Sequence, residues 1–181
     1  MRDLSLHLLD LIENSTRAGT SVVAISIEQD RARDLMTVSI EDDGPGLAAP
    51  PEQATDPFYT TKPNKRVGLG LSLFAAAAER AGGRVDTGQS PLGGLALRAT
   101  MRLGHVDRAP MGDIGSTLAT AICSNGGVDF RVSLSVDGRL FAVSSAATAA
   151  RMPPPNDSAF MVARQVATEI RNAMDRLKFI E

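Results

Sequence analysis

A chain of 181 residues, 43% hydrophobic, has enough apolar side chains for one substantial core, or one core with a small appendage. Its 19 basic and 21 acidic residues are spread along the chain and leave a formal charge of −2, so no positive field draws it to nucleic acid or to a membrane surface, and neither is an expected partner. The lone cysteine, Cys123, excludes an internal disulfide and reads as a small buried residue, while His7 and His105 lie too far apart for a soft-ligand metal cluster.

The first residues carry charges at Arg2, Asp3 and Asp10 without a small-residue cleavage site, and nowhere do about 18 apolar residues run together, so a soluble cytoplasmic protein is expected. Over residues 3–18, Leu4, Leu8, Leu9, Leu11 and Ile12 gather on one side of a helix, and Asp3, His7, Asp10, Asn14 and Arg17 on another. Gly19 ends it. Residues 21–28 and 34–41 alternate apolar and polar side chains and read as two antiparallel strands, followed by a Gly- and Pro-rich loop over 42–51. Residues 53–67 show no sustained apolar period. Residues 69–81 form a helix closed by Gly82 and Gly83, and 84–87 and 95–103 read as two further strands. The order predicts an α+β fold with helices layered on one face of a mixed, mostly antiparallel sheet over residues 1–103.

Residues 104–181 follow a different pattern, a small α/β extension that is either a second subdomain or a cover on the first sheet. It comprises a helix over 113–124, a hairpin over 128–144 turning at Asp137 and Gly138, an irregular link over 146–155 and a helix over 158–179. The last helix spaces Phe160, Ala163, Ala167, Ile170, Met174 and Leu177 into an apolar stripe that must be buried, on the hairpin or in a homodimer.

Three motifs carry chemistry. Asp42-Asp43-Gly44-Pro45-Gly46 ends a strand, where two glycines let the backbone turn and approach a planar ligand and an Asp can accept from an amino group. Val67-Gly68-Leu69-Gly70-Leu71-Ser72 opens a helix whose unshielded N–H groups can cradle phosphates. It is neither a dinucleotide fingerprint nor a Walker loop, since it lacks both the preceding strand and the Gly-Lys-Ser/Thr ending. Asp10 and Asn14 stand four apart on one helical face, where an Asn carbonyl is a hard ligand for Mg²⁺ and the carboxylate can deprotonate a water.

Together these motifs resemble the gyrase, heat-shock chaperone, histidine kinase and mismatch-repair (GHKL) ATPases. Residues 9–20, LDLIENSTRAGT, resemble the N box, residues 42–46 the Asp-x-Gly-x-Gly box, residues 56–62, DPFYTTK, a histidine-kinase box, and residues 68–72 the Gly-Leu-Gly-Leu-Ser box. The resemblance implies a Bergerat-type two-layer sandwich that binds ATP and Mg²⁺. Asn14 would be the metal ligand, Asp42 the partner of the adenine amino group, and Gly44 and Gly46 the shapers of the base pocket. Gly68, Leu69, Gly70 and Leu71 would offer N–H groups to the phosphates, Lys62 on a lid would neutralise phosphate charge, and Phe58 would anchor that lid. The chain is also similar to small bacterial ATP-binding proteins that accompany hydrogenase and NADH-oxidising subunits, which implies a protein partner linked to redox proteins.

Three departures matter. Asp10 stands where the hydrolysing branch has Glu, one methylene longer, which points to slow hydrolysis; Glu13 lies about 100° away around the helix and is the weaker base candidate. Arg66 replaces the first glycine of the phosphate box. Leu95 follows Gly94 where the family often has Thr, leaving open whether Thr100 supplies the hydroxyl. A phosphoacceptor-bearing helical hairpin is not evident, so autophosphorylation on His is not expected, whereas transfer to a partner protein is. The function expected is ATP binding with slow hydrolysis or phosphotransfer in a regulatory role; the alternative is a nucleotide-sensing interaction module without chemistry.

Overall fold

The alternating apolar residues of the strands all turn to one side of a single sheet. The computed structural model describes residues 3–46, 69–154 and 158–180. Its strands are β1 (Val22–Asp30), β2 (Leu35–Asp42), β3 (Arg84–Gln89), β4 (Leu95–Arg102), β5 (Asp129–Val136) and β6 (Arg139–Ser144), in spatial order β3-β4-β2-β1-β5-β6. Every pairing is antiparallel except β1 with β5, which is parallel. One row across the sheet runs Thr87, Leu97, Ile40, Ile25, Val132, Val143, and its apolar members from Leu97 onward are buried. The next row, Gly88, Ala96, Glu41, Ala24, Arg131, Ser144, faces the other way and contributes nothing to the core, as the two-residue period requires. The fold is thus the α+β arrangement expected, helices on one face of a mixed sheet.

The helices are α1 (Leu4–Arg17), α2 (Leu69–Arg80), α3 (Ile114–Ser124), α4 (Ser145–Arg151) and α5 (Ala159–Leu177). Asp3 caps α1 by accepting from the N–H of Leu6 at 2.9 Å, and Gly19, at φ +86°, ends it. Leu4, Leu8, Leu11 and Ile12 of α1, Phe74 and Ala78 of α2 and Ile114 and Leu118 of α3 then cover the sheet. Each large apolar side chain fully buried in this way contributes about 1.5–3 kcal/mol.

The hairpin β5–β6 lengthens the sheet of residues 1–103, and side chains from both stretches share one core. Three expectations fail locally. The link predicted as irregular contains α4, because Ser144 accepts from the N–H of Ala147 and so caps an Ala-rich turn ahead of the prolines. On α5 the buried face is Val162, Ala163, Val166, Ala167, Ile170, Ala173 and Leu177, while Phe160 is 66% exposed and Met174 only partly buried. That face packs chiefly on α3, where a Cβ at Gly115 would come within 3.0 Å of the Ala167 carbonyl, so a homodimer through the stripe is already pre-empted. Cys123 is exposed rather than buried, since its neighbour Ile122 takes the core-facing position in the last turn of α3.

The C-terminus is fastened to the first strand. Lys178 takes the left-handed conformation at φ +58°, Phe179 donates back to Met174 at 3.0 Å, and Arg139 and Arg31 donate to the carbonyls of Leu177 and Lys178. Gln29, fully buried in β1, both donates to the carbonyl of Ile180 and accepts from its N–H at 2.8 Å. No helix among the described residues is long and apolar enough to cross a membrane.

Candidate functional site

Asp42, at the last position of β2, is 3% exposed and surrounded by donors. Its Oδ1 accepts from the N–H of Gly44 at 3.1 Å and of Leu95 at 2.9 Å, and its Oδ2 accepts from the Ser15 hydroxyl of α1 at 2.6 Å. Its own carbonyl accepts from the N–H of Gly94 at 3.0 Å. A Cβ on Gly94 would lie 2.2 Å from Oδ1, so no other residue fits there without moving the acid. Gly44 is nearly as confined, since a Cβ added there would lie 2.9 Å from Thr20 Cγ2, and Gly46 uses φ +76°, which favours glycine. The neighbouring Asp43 plays a different part. Its Oδ1 accepts from the N–H groups of Val22 and Ser21, which hold its carboxyl below the usual carboxylate range and tie the turn to β1.

The second half of the site is the start of α2. A Cβ added at Gly70 would meet Asp10 Cβ at 3.5 Å and Asn14 Nδ2 at 3.6 Å, so the first turn of α2 abuts the Asp10 and Asn14 face of α1. The contact is fixed below by His7, whose buried ring lies 5.6 Å from that of Phe74, and by Leu71, packed against the core. Glu13 is turned away and pairs with Arg17 one turn on, which leaves Asp10 as the carboxylate beside Asn14.

Of the residues singled out in the sequence, Asp10, Asn14, Gly70 and Leu71 come together at one end and Asp42, Gly44 and Gly46 at the other, with Asn14 and Ser15 consecutive on α1 between them. Phe58, Lys62 and Gly68 lie outside the described residues, as does the side chain of Leu69. Thr100 does not replace the hydroxyl missing at Leu95: it pairs with Arg84 and Thr37 near the opposite end of β4. Ser15 supplies one instead. Sequence reasoning did not single out Ser15 and noted Gly94 only as the neighbour of Leu95.

The arrangement fits an adenine nucleotide. A carboxylate offers about four lone-pair sites, and among the described residues three donors occupy those of Asp42, leaving one. The Thr20 hydroxyl, beside Gly44, is buried with no hydrogen-bond partner among the described residues. Asn14, the residue the resemblance assigns to Mg²⁺, carries an amide oxygen of the hard type that ion takes. No three His, Cys, Asp or Glu residues cluster among the described residues, so the ion would be shared with phosphate oxygens and water. A cavity of about 520 Å³ lies between strand residues such as Ser26, Ser39, Arg131 and Ser133 and the helix residues Ala147, Arg151 and Glu169, and none of the residues of this site lines it.

Sensor histidine kinase CpxA of Escherichia coli K12 is 32% identical over 100 residues, which cover 52% of this chain and 21% of CpxA. Sensor protein kinase CarS of Pseudomonas aeruginosa is 32% identical over 110 residues, 59% of this chain and 24% of CarS. The chain therefore spans about a fifth to a quarter of the length of these relatives. Among solved structures, the ATP-binding domain of PrrB from Mycobacterium tuberculosis aligns with a TM-score of 0.42 at 26% identity, over 54% of this chain and 64% of that one. Residues 2–105 match the family described as histidine kinase-, DNA gyrase B-, and HSP90-like ATPase. Since that match runs from the start of α1 past the end of β4, the stretch that assembles both ends of the cleft, the chain belongs to the histidine kinase-, DNA gyrase B- and HSP90-like ATPase family.

Proposed function

We propose that the chain binds ATP with Mg²⁺ between α1, the Asp42 turn and the start of α2, and consumes it slowly, by hydrolysis or by passing the γ-phosphate to a protein partner, as a regulator in the cytoplasm. The observation that supports this reading is the close approach of the start of α2 at Gly70 to Asp10 and Asn14, the residues proposed here as base and metal ligand. Asp42 accepts from the adenine amino group, and the N–H groups at Gly70 and Leu71 receive the phosphates. Asn14 holds the metal, which when bound screens phosphate charge. Asp10 takes the proton of the attacking water or of the acceptor group.

The likeness to sensor kinases supports a protein partner; it does not speak to the resemblance to redox-linked proteins. Asp10, shorter than the Glu of hydrolysing relatives, keeps a second reading in view, in which ATP only changes the shape offered to the partner. Titration with ATP and Mg²⁺ together with labelled-phosphate turnover separates the two: micromolar-range binding with slow turnover is expected, binding without turnover favours sensing, and no binding sinks both.

A further inference from the structure

Among the described residues Asp42 is held by three donors, and only one of them is a side chain. We infer that Ser15 sets the selectivity of this pocket for a 6-amino purine over a 6-oxo purine, as a positioning residue acting through Asp42; the inference rests on the nucleotide-binding function proposed for this cleft.

Both lone pairs of Oδ1 are taken, by Gly44 and Leu95, and the close approach of Gly94 bars anything else from that side. Ser15 takes one of the two on Oδ2, in a 2.6 Å bond within the buried interior. A hydroxyl has a single hydrogen, so Ser15, having donated it, turns only lone pairs toward an incoming group. The free site of Oδ2 and the Ser15 oxygen therefore both present acceptors, and a ligand reaching them must bring hydrogens. An exocyclic amino group brings two. A ring oxygen brings none and would face acceptors with its own lone pairs, an arrangement that leaves buried groups unsatisfied.

Without the hydroxyl, the space it filled and its site on Oδ2 are open to a water, which can donate one hydrogen to Oδ2 and turn the other toward a ring oxygen. Leu95 offers no hydroxyl to take over the role, contributing to Asp42 only its backbone N–H.

The test compares ATP with inosine triphosphate, which differs where the amino group is replaced by oxygen, in the full chain with Mg²⁺. Wild-type protein should bind ATP at least about 10-fold more tightly, Ser15→Ala should shrink that ratio by roughly 10-fold or more, and Ser15→Thr, which keeps the donor, should preserve it. Ser15→Cys, similar in size with a weak donor, should shrink the ratio in the same direction and serves if the alanine variant does not fold. A merely structural serine would weaken both ligands alike, so an unchanged ratio in the alanine and cysteine variants overturns the inference while leaving the nucleotide-binding function intact. Wild-type protein that holds neither triphosphate overturns both.

Discussion

Gly94 and Asp42 are fitted to one another from two sides. The N–H of Gly94 donates to the Asp42 carbonyl at 3.0 Å, and a Cβ at Gly94 would stand 2.2 Å from Asp42 Oδ1 and 2.4 Å from the Gly44 nitrogen. Gly94→Ala must therefore push the acid or the turn aside. It should cost about 1–3 kcal/mol of stability, the usual penalty for overpacking, and weaken ATP binding by at least about 10-fold. Gly88, which has open space around its Cβ position, is the control: Gly88→Ala should leave affinity unchanged. Urea unfolding and calorimetric titration give the two readouts, and wild-type affinity in Gly94→Ala would show that Asp42 is not held in place from β4.

Asp42→Asn keeps the shape of the side chain but offers an NH₂ where donors already converge. Loss of a hydrogen bond to a charged group costs about 1.5–3 kcal/mol, so ATP affinity should fall roughly 10- to 150-fold. An unchanged dissociation constant would remove Asp42 from the base pocket.

Asp10 and Asn14 should separate binding from chemistry. Asn14→Ala removes a metal oxygen and should reduce Mg²⁺-dependent ATP binding with little effect on the fold. Asp10→Ala should leave binding nearly unchanged and lower turnover by about 10²–10⁴-fold. Asp10→Glu should raise turnover if the missing methylene limits the native rate. Equal turnover in wild type and Asp10→Ala would mean that another group, or none, acts as base.

Asp113 joins α3 to α5 and gives the protein a titrating contact. Its carboxylate caps α3 through the N–H of Ser116 and accepts from Arg171, which holds its pKa down to about 2 from the ordinary value near 3.8. A depressed folded-state pKa stabilises the fold above the unfolded value and loses that stabilisation as pH falls from about 4 through about 2. Because the pair is about half exposed, its worth is roughly 0.2–1 kcal/mol. Asp113→Asn, which keeps a capping oxygen, should flatten the acid limb of a stability profile by about that amount; thermal melts across pH 2–6 that superimpose with wild type would count against the contact.

The tail should prove indispensable. Ile170 of α5 is fully buried among residues from both stretches of the chain, so Ile170→Ala should cost about 2–5 kcal/mol in denaturant unfolding. A chain truncated after Pro155 loses the cover of α3 and should be unfolded or aggregated rather than a nucleotide-binding monomer. A folded truncated protein that binds ATP would show that residues 3–154 are self-sufficient.

Elements with strong local signals were legible in the sequence: the edges of α1, α2, α3 and α5 and the Asp137 turn follow from caps, glycines and periodicity. The Asp42 turn and the Asp10 and Asn14 face were legible because their chemistry sits in short spacings. The features that sequence did not disclose depend on partners distant along the chain. The parallel pairing of β1 with β5 leaves no local trace, so residues 104–181 looked separable. Ser15 drew no notice in the sequence because its meaning lies in Asp42, 27 positions on. The Ala-rich turn of α4 was masked by the three prolines after it, and Phe160 was assigned by spacing to a face that the docking of α5 on α3 turns to solvent.

The parallel pairing of β1 and β5 also has a meaning during synthesis. Val22 through Gln29 find their second neighbours only at Asp129 through Val136, and Gln29 meets its amide partner Ile180 after 151 further residues. At ribosomal speeds of about 5–20 residues per second, a nascent chain that has already made β1, β2 and β4 would wait roughly 2–7 s more, until β5 is complete, with one long edge of β1 unpaired. Such an edge invites pairing with neighbouring chains on the same message. Yield of soluble protein should therefore respond to holdase chaperones and to translation rate, more than the stability of the finished fold would suggest.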